Sequence, residues 1–208
     1  MPINYAVQAQ VIDIRTDHPQ PTDSFLVDTN IWFWVTYTRA SSGPNPPRPG
    51  QLTSYPGYVA RCLAASAKLY RCGLSMAELA HIIEKTEREI FETSSGARVG
   101  AKEFRHNHPT ERTAVVAEIQ SAWGQAKTMG TSLDIAVDEP TTDAALTRYG
   151  TQVLDGYDLF ILEALSRGGL TQVLTDDGDF CSVPGIQVFS ANANVISAAT
   201  NQGKLVQR

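Results

Sequence analysis

The sequence predicts an α/β domain in which a central, mostly parallel sheet is flanked by helices. Short, almost continuously apolar segments, typical of strands buried on both faces, alternate with longer segments of helical periodicity. The chain has 208 residues, of which 42% are hydrophobic, enough for the core of one large domain. No apolar run approaches the roughly 18 residues of a membrane span, and residues 1–10 lack a leader-like pattern. We therefore expect a cytoplasmic protein without a membrane partner.

Charge and cysteine content exclude several classes of protein. The formal net charge is −5, so the chain is not a polycation of the histone type, and residues 61–112 form its basic part. The three cysteines, Cys62, Cys72 and Cys181, are odd in number and form no C-x-x-C pair. They predict neither a disulfide framework nor a structural zinc site, and we expect reduced, buried thiols.

The N-terminal half predicts one strand and a pair of helices. The apolar segment 25–28 reads as a buried strand that ends at Asp28, and an aromatic-rich segment follows it. The proline-rich segment 39–57 predicts a loop, because proline disfavours both helix interiors and strand pairing. One helix then ends at Gly73 and a second begins at Ser75. These helices rest on apolar residues at helical spacing: Val59, Leu63, Ala67, Tyr70, Leu79, Ile82, Ile83 and Ile90.

The C-terminal half continues the alternation after a glycine- and serine-containing break at 94–100. Its predicted elements are a helix at 110–129, a strand at 133–137, helices at 140–149 and 158–167, and strands at 170–175 and 186–189. The chain then divides into an N-terminal extension (1–24), a domain (25–190) with the proline-rich insertion (39–57), and a C-terminal helix or tail (191–208).

Aspartates follow two of the predicted strands. Asp28 ends the first strand, and Asp176, Asp177 and Asp179 come directly after the strand at 170–175. Ligands of parallel α/β sheets bind beyond the carboxyl ends of the strands. Carboxylates that are brought together there repel one another unless a cation joins them, and oxygen ligands suit Mg²⁺ or Mn²⁺. A metal site is one interpretation of this pattern.

Each acidic residue also has a structural interpretation. Asp28 could cap the following helix, and Asp177 with Gly178 is ordinary turn chemistry. The spacing of Ser75 and Glu78 fits a capping box, in which the glutamate only satisfies backbone N–H groups. The residues taken singly leave both interpretations open.

Taken in order, four segments resemble the motifs of PIN-domain nucleases, and VapC-like toxin ribonucleases in particular. The resemblance runs from about residue 25 to residue 189, and the last segment is the most specific. The segments are Phe25-Leu-Val-Asp28-Thr-Asn30, Leu74-Ser75-x-x-Glu78-Leu79, Tyr157-Asp158 and Val173-Leu-Thr175-x-Asp177-x-Asp179-Phe180.

The resemblance implies a PIN-like three-layer domain at 25–190 and a metal-dependent hydrolase of RNA. The implied endoribonuclease uses Mg²⁺ or Mn²⁺ and leaves 5′-phosphate and 3′-hydroxyl ends. Its catalytic acids match Asp28, Glu78, Asp158, Asp177 and Asp179, of which the first four match the metal ligands. Asn30 and Thr175 match polar residues that orient the carboxylates or a bound water. The alternative is a catalytically silent PIN scaffold that binds RNA or protein.

Partners follow from the same resemblance and from the basic segment. Arg98, Lys102, Arg105 and Arg112 are candidate RNA contacts, with a solvated surface as the alternative. The resemblance also implies a homodimer and a toxin with an antitoxin partner. Small PIN toxins begin almost at the first strand, so the extension and the proline-rich insertion are departures from them. The aromatic residues beside the insertion fit either a docking surface or the core: Trp32, Phe33, Trp34 and Tyr37.

Overall fold

A computed structural model describes residues 3–208, and over this range it contains one parallel sheet between two layers of helices. The six strands are β1 (Gln10–Asp13), β2 (Ser24–Val27), β3 (Lys68–Cys72), β4 (Thr131–Leu133), β5 (Gln172–Leu174) and β6 (Gln187–Ser190). The helices are α1 (Thr29–Thr36), α2 (Pro49–Ala64), α3 (Gly73–Ser95), α4 (Ala101–Asn107), α5 (Pro109–Met129), α6 (Glu139–Tyr149), α7 (Gly156–Arg167) and α8 (Ala193–Asn201). The predicted α/β class is confirmed.

The sheet has the strand order β1-β6-β5-β2-β3-β4, and every pair is parallel. From β2 the chain builds outward through β3 to β4, then returns to the other side of β2 to add β5 and β6. The order of the strands therefore reverses between β2 and β5. Crevices of this kind, at the carboxyl ends of the strands, are where open α/β sheets bind ligands.

Alternate residues of each strand enter the cores on the two faces of the sheet. Leu26 of β2 packs with helices α6, α7 and α8, whereas Phe25 and Val27 pack with α1, α2 and α5. Val173 and Leu174 of β5 divide between the faces in the same way. Burial on both faces explains why the strands read as continuous apolar segments. The same alternation between faces fixes the direction in which the residue after each strand projects from the sheet.

The proline-rich segment is helical from Pro49 onward, so the prediction of a loop through residue 57 is wrong for its last part. Pro49 occupies the first turn of α2, where its missing N–H group has no helical partner to lose. Pro56 lies inside the helix, whose buried face carries Tyr55, Tyr58 and Val59. Packing of this face against the sheet outweighs the unfavourable proline.

The predicted helix between Val59 and Gly73 is also wrong in its second half. Helix α2 ends at Ala64, and Lys68–Cys72 forms strand β3 between β2 and β4. Ala67 and Tyr70 match helical spacing only by coincidence, because so short a segment fits either period. Residues 68–72 form a strand because they pair with β2 on one side and with β4 on the other.

Several smaller elements differ from the prediction. Strand β1 lies within the N-terminal stretch and pairs with β6, and helix α4 was not predicted. Strand β4 covers Thr131–Leu133 rather than 133–137, and α3 begins at Gly73 rather than at Ser75. The helices predicted at 110–129, 140–149 and 158–167 are confirmed, as are the last two strands within a few residues.

The remaining expectations about the core are confirmed. All three cysteines are free and buried. Trp32, Phe33 and Tyr37 are buried in the core, which supports the core interpretation of these aromatic residues over a docking surface, and Trp34 packs partly buried beside them. No helix within residues 3–208 combines the length and the apolar character needed to cross a bilayer.

Candidate active site

The crevice between β2 and β5 is built on Asp28 and Thr175. Asp28 follows β2 and Thr175 follows β5, so the pairing of these strands sets the two residues side by side. The Thr175 hydroxyl donates a hydrogen bond of 2.5 Å to Asp28 Oδ2, and Thr29 N donates one of 2.6 Å to Oδ1. Asp28 therefore caps α1, as the structural interpretation predicts, while Thr175 holds its second oxygen. The residue is only 4% exposed.

The turn after β5 attaches Asp177 to the same hydroxyl. Asp177 N donates to Thr175 Oγ1 at 2.9 Å, and Asp177 Oδ1 accepts from Asp179 N at 2.9 Å. The turn chemistry is thus present, but it occupies one carboxylate oxygen of Asp177 only. The neighbouring Asp176 is near enough for its charge to raise the pKa of Asp177, but its own oxygens accept hydrogen bonds of 2.6 Å from the Tyr55 hydroxyl and from Gln51 Nε2 of α2.

Helices α3 and α7 contribute Glu78 and Asp158. Because α3 follows β3 without a loop, Glu78 lies in its second turn, close to the carboxyl edge of the sheet. The capping-box interpretation fails, since Cys72 is the N-cap of α3 and the Ser75 hydroxyl lies inside the helix without a hydrogen-bond partner. Asp158 is in the first turn of α7 and is buried.

The pKa shifts show that the four predicted acids lie close enough to repel one another. Burial raises the pKa of Asp28, the charges of Glu78 and Asp177 add to the increase, and the hydrogen bond from Thr175 only partly opposes it. Burial also raises the pKa of Asp158, followed by the charges of Asp28 and the other acids. Burial is again the main reason why the pKa values of Glu78 and Asp177 are raised.

No arginine or lysine in residues 3–208 forms a salt bridge with any of these four carboxylates. Ordinary buried carboxylates are paired or fully hydrogen-bonded, because an isolated buried charge is costly. Within residues 3–208, α1 and α3 instead leave four side-chain oxygens buried without a well-formed hydrogen bond, although the Thr29 hydroxyl lies near enough to Glu78 to lower the pKa of that carboxyl group. They belong to Thr29 (Oγ1), Asn30 (Oδ1), Ser75 (Oγ) and Glu78 (Oε2).

These orphaned oxygens fit a hard divalent cation, for which oxygen atoms are the preferred ligands. Asp28, Glu78, Asp158 and Asp177 could hold such an ion. Within the described part of the chain, no three acidic, imidazole or thiol groups converge closely enough to form a ready metal site. The carboxylates would therefore have to rotate toward a bound ion, which would remove the repulsion that now holds them apart.

Two further residues at the site were missed from the sequence. Asp155 caps α7 by accepting from Tyr157 N and Asp158 N, and its charge raises the pKa of Glu78, Asp158 and Asp177. A cap signal, an acid followed by glycine at the start of a helical pattern, could have revealed it.

Tyr5 comes from the N-terminal stretch, and its ring packs so tightly against Gly178 that a Cβ atom there would lie 2.2 Å from it. Burial, then the charges of Asp177 and Asp179, raise the pKa of Tyr5. Asp179 itself begins a short 3₁₀ turn beside the site, and burial and then Asp177 raise its pKa.

The candidate RNA contacts separate into two pairs. Arg105 of α4 and Arg112 of α5 both bind Glu84 of α3, with contacts of 2.5 and 2.8 Å. Arg98 and Lys102 are exposed and do not line the cavity to which the first pair belongs. Of these four residues, Arg105 and Arg112 line a cavity that Tyr157, the residue before Asp158, also lines.

Comparison of the sequence with protein-family models and with characterised proteins finds no match to either. The functional argument therefore rests on the geometry of the site and on the ordered motifs.

Proposed function

We propose that this protein is a metal-dependent endoribonuclease that hydrolyses RNA phosphodiester bonds through an acidic Mg²⁺ or Mn²⁺ pocket. The products are a 5′-phosphate and a 3′-hydroxyl. The observation that carries the proposal is a set of four carboxylates, Asp28, Glu78, Asp158 and Asp177, which lie near enough for their charges to act on one another and have no paired arginine or lysine within residues 3–208. Their order along the chain, which resembles that of PIN-domain nucleases, supports it.

The fold gives each group a distinct task. Asp28 is fixed by the helix it caps and by Thr175, so its carboxylate is oriented before any ligand arrives. Thr175 also holds the backbone of Asp177 and so couples the two acids in one arrangement. One carboxylate oxygen of Glu78 accepts no hydrogen bond from residues 3–208. Asp158 is buried near enough to Asp28 for their charges to repel each other. Asn30, next along α1, keeps its amide oxygen free for a water or a ligand.

A bound divalent metal supplies charge neutralisation of the phosphodiester and lowers the pKa of a water. The residues of the chain would position it, and the ring of Tyr5 packs against Gly178 beside Asp177. No histidine or lysine base is needed for this chemistry.

Cleavage of labelled RNA with Mn²⁺ and with EDTA tests the proposal. Wild type is expected to cut in Mn²⁺ only, and Asp28→Asn is expected to be inactive. Asp176→Asn is the matched control: it removes a neighbouring acid that binds Tyr55 and Gln51, and it should remain active. Intact RNA across diverse substrates, or equal activity of Asp28→Asn and wild type, would overturn the proposal.

The second candidate is a catalytically silent PIN scaffold that binds RNA or protein. It is favoured by the absence, in residues 3–208, of three metal-binding groups already close enough to hold an ion. Metal binding without cleavage would support it. A toxin role with an antitoxin partner, and a homodimer, remain part of the main proposal. Sedimentation of the purified chain tests the homodimer, which a monomer would exclude.

A further inference from the structure

A cavity of about 380 Å³ lies beside the acidic site and has the opposite chemical character. Its polar lining comes from four helices: His81 and Glu84 from α3, Arg105 from α4, Arg112 from α5 and Tyr157 from α7. Tyr157 immediately precedes Asp158, so the cavity and the acidic crevice share the N-terminal turn of α7.

Glu84 neutralises only half of the positive charge that surrounds it. Arg105 binds Glu84 Oε1 through Nε at 2.7 Å and through Nη2 at 2.5 Å, and Arg112 binds Oε2 through Nη1 at 2.8 Å. Within residues 3–208, Arg105 Nη1 and Arg112 Nε and Nη2 donate no hydrogen bond. Two guanidinium groups aligned by one carboxylate keep donors for an anion, and phosphate is the anion that such a fork suits best.

A purely structural role explains this cluster poorly. The side chains of Arg105 and Arg112 are 42% and 40% exposed, and ion pairs of such exposure contribute little to stability. One arginine can bind both oxygens of a carboxylate in a fork, whereas here two arginines bind one oxygen of Glu84 each. The second arginine therefore adds a positive charge that Glu84 does not balance, and an anionic ligand would balance it.

The position of the cluster relative to the acids is set by helix geometry. Glu78, His81 and Glu84 follow one another at three-residue spacing along α3, so Glu84 lies about 9 Å further along the helix axis than Glu78 and about 120° around it. His81 lies between the two acids along the helix, about one turn after Glu78 and one turn before Glu84. A short stretch of nucleic-acid backbone can therefore reach from the acidic crevice to the arginines.

Tyr157 offers an aromatic surface at the junction. Its side chain is 49% exposed although it begins a helix whose other residues are largely buried. Exposed aromatic rings beside a basic groove stack unpaired bases, and a base within a duplex is not available for such stacking.

We propose that this cavity is a substrate subsite for single-stranded nucleic acid, in which Arg105 and Arg112 bind a backbone phosphate and Tyr157 stacks a neighbouring base. The inference rests on the proposed function, because it places the subsite next to the bond that would be cut. It adds that the substrate is unpaired at this point.

Fluorescence anisotropy with a labelled single-stranded RNA of about twelve nucleotides measures the subsite without catalysis when EDTA is present. Arg105→Ala should weaken binding about tenfold and lower the salt slope by about 0.7, the value for one lost contact to a single strand. Glu84→Gln should tighten binding at least about threefold, because it frees the donors of both arginines. Tyr157→Leu should weaken binding about fivefold or more, whereas Tyr157→Phe should not.

Lys85→Ala is the matched control. It removes one positive charge from the same helix, next to Glu84, but Lys85 lines a different cavity. Equal binding by Arg105→Ala and Lys85→Ala, or weaker binding by Glu84→Gln, would overturn the subsite. A duplex of the same length that binds as tightly, with no effect of Tyr157→Leu, would overturn the single-strand claim.

Cleavage in Mn²⁺ is measured separately, so that the two proposals can fail independently. The expected binding pattern without any cleavage supports the subsite and contradicts the nuclease. Cleavage that is lost in Asp28→Asn, with binding indifferent to Arg105 and Glu84, supports the nuclease and overturns the subsite.

Discussion

The two ends of strand β2 carry buried aspartates with opposite electrostatics. Asp23 precedes the strand and Asp28 follows it. At the first end, the Arg208 guanidinium bridges Asp17 and Asp23 with contacts of 2.7 to 2.9 Å and lies over the ring of Phe189. At the second end, Asp28 lies near Glu78, Asp158 and Asp177, and no arginine or lysine of residues 3–208 forms a salt bridge with it.

The pKa values record this difference. Burial would raise the pKa of Asp23, but hydrogen bonds from Arg208 and Gln20 outweigh it and leave the pKa below its usual range. Burial raises the pKa of Asp28, and nearby acids raise it further. At the first end, a buried acid of this fold is therefore neutralised by an arginine of the same chain. At the other end, no arginine or lysine of residues 3–208 pairs with the acids, and the proposed metal site would supply the missing positive charge.

Replacing one aspartate by asparagine should have the largest effect on RNA cleavage at the second end of β2. The same replacement at the first end should have no such effect. Asp158→Asn is expected to lower RNA cleavage about a thousandfold, because a metal ligand contributes several kcal/mol to the transition state. Asp23→Asn should leave cleavage by the folded protein unchanged and lower its stability instead. Initial cleavage rates, corrected for the folded fraction, test both. Equal loss of cleavage in the two variants would remove the distinction.

Removal of the counter-ion at the paired end should cost the most stability. Arg208→Ala leaves the buried Asp17 and Asp23 with neutral hydrogen-bond donors only, among them Tyr58 and Gln172, and is expected to lower the free energy of unfolding by about 3 kcal/mol. Urea denaturation measures the loss. Arg15→Ala is the control: it breaks the exposed pair with Asp13 and should cost less than about 1 kcal/mol. Similar losses in both variants would contradict the contrast.

The two ends should respond to pH with opposite signs in metal-free protein. The lowered pKa of Asp23 stabilises the fold above pH about 4, and this contribution is lost as pH falls through the folded value. The raised pKa of Asp158 contributes stability below pH about 4, which is lost as pH rises. Asp158→Asn should therefore be about 2 kcal/mol more stable than wild type at pH 7 and equal to it at pH 4. Denaturation at the two pH values checks this, and a less stable variant at pH 7 would contradict it.

The smallest predicted effect concerns the hydroxyl that joins Asp28 to Asp177. Thr175→Val removes this link and should weaken Mn²⁺ binding about 10- to 100-fold, as expected for a residue that orients metal ligands. Thr175→Ser keeps the hydroxyl and should bind nearly as wild type does. Calorimetric titration compares them. Unchanged affinity in the valine variant would show that Thr175 serves the fold alone.

The sequence predicts the architecture better than the boundaries of its elements. Strands β2, β5 and β6 are buried on both faces of the sheet, and their short apolar segments are therefore readily identified as strands. Strand β3 and helix α2 were misplaced because Ala67 and Tyr70 imitate helical spacing and because prolines hide a helix start. Pairing with distant strands decides the first case and packing of α2 against the sheet decides the second, and neither can be read from a local window of sequence.

Part of the candidate site could likewise be predicted from the sequence, and part could not. Asp28 and Asp177 were predictable because both follow buried strands, and the ordered motifs added Glu78 and Asp158. The charge of Asp155 and the shared pairing of Arg105 and Arg112 with Glu84 were not predictable. They depend on how α3, α4, α5 and α7 pack together, and no spacing in the sequence encodes that arrangement.

Calorimetric titration of Mn²⁺ into metal-free protein tests the central claim most directly, because it does not depend on the choice of substrate. Asp177→Asn and Asp176→Asn are the variants to compare, since they remove adjacent acids of which only the first belongs to the acidic crevice. The account predicts binding by wild type and by Asp176→Asn, and its loss in Asp177→Asn. Folded wild-type protein that binds no Mn²⁺ at millimolar concentration, or equal binding by both variants, would contradict it.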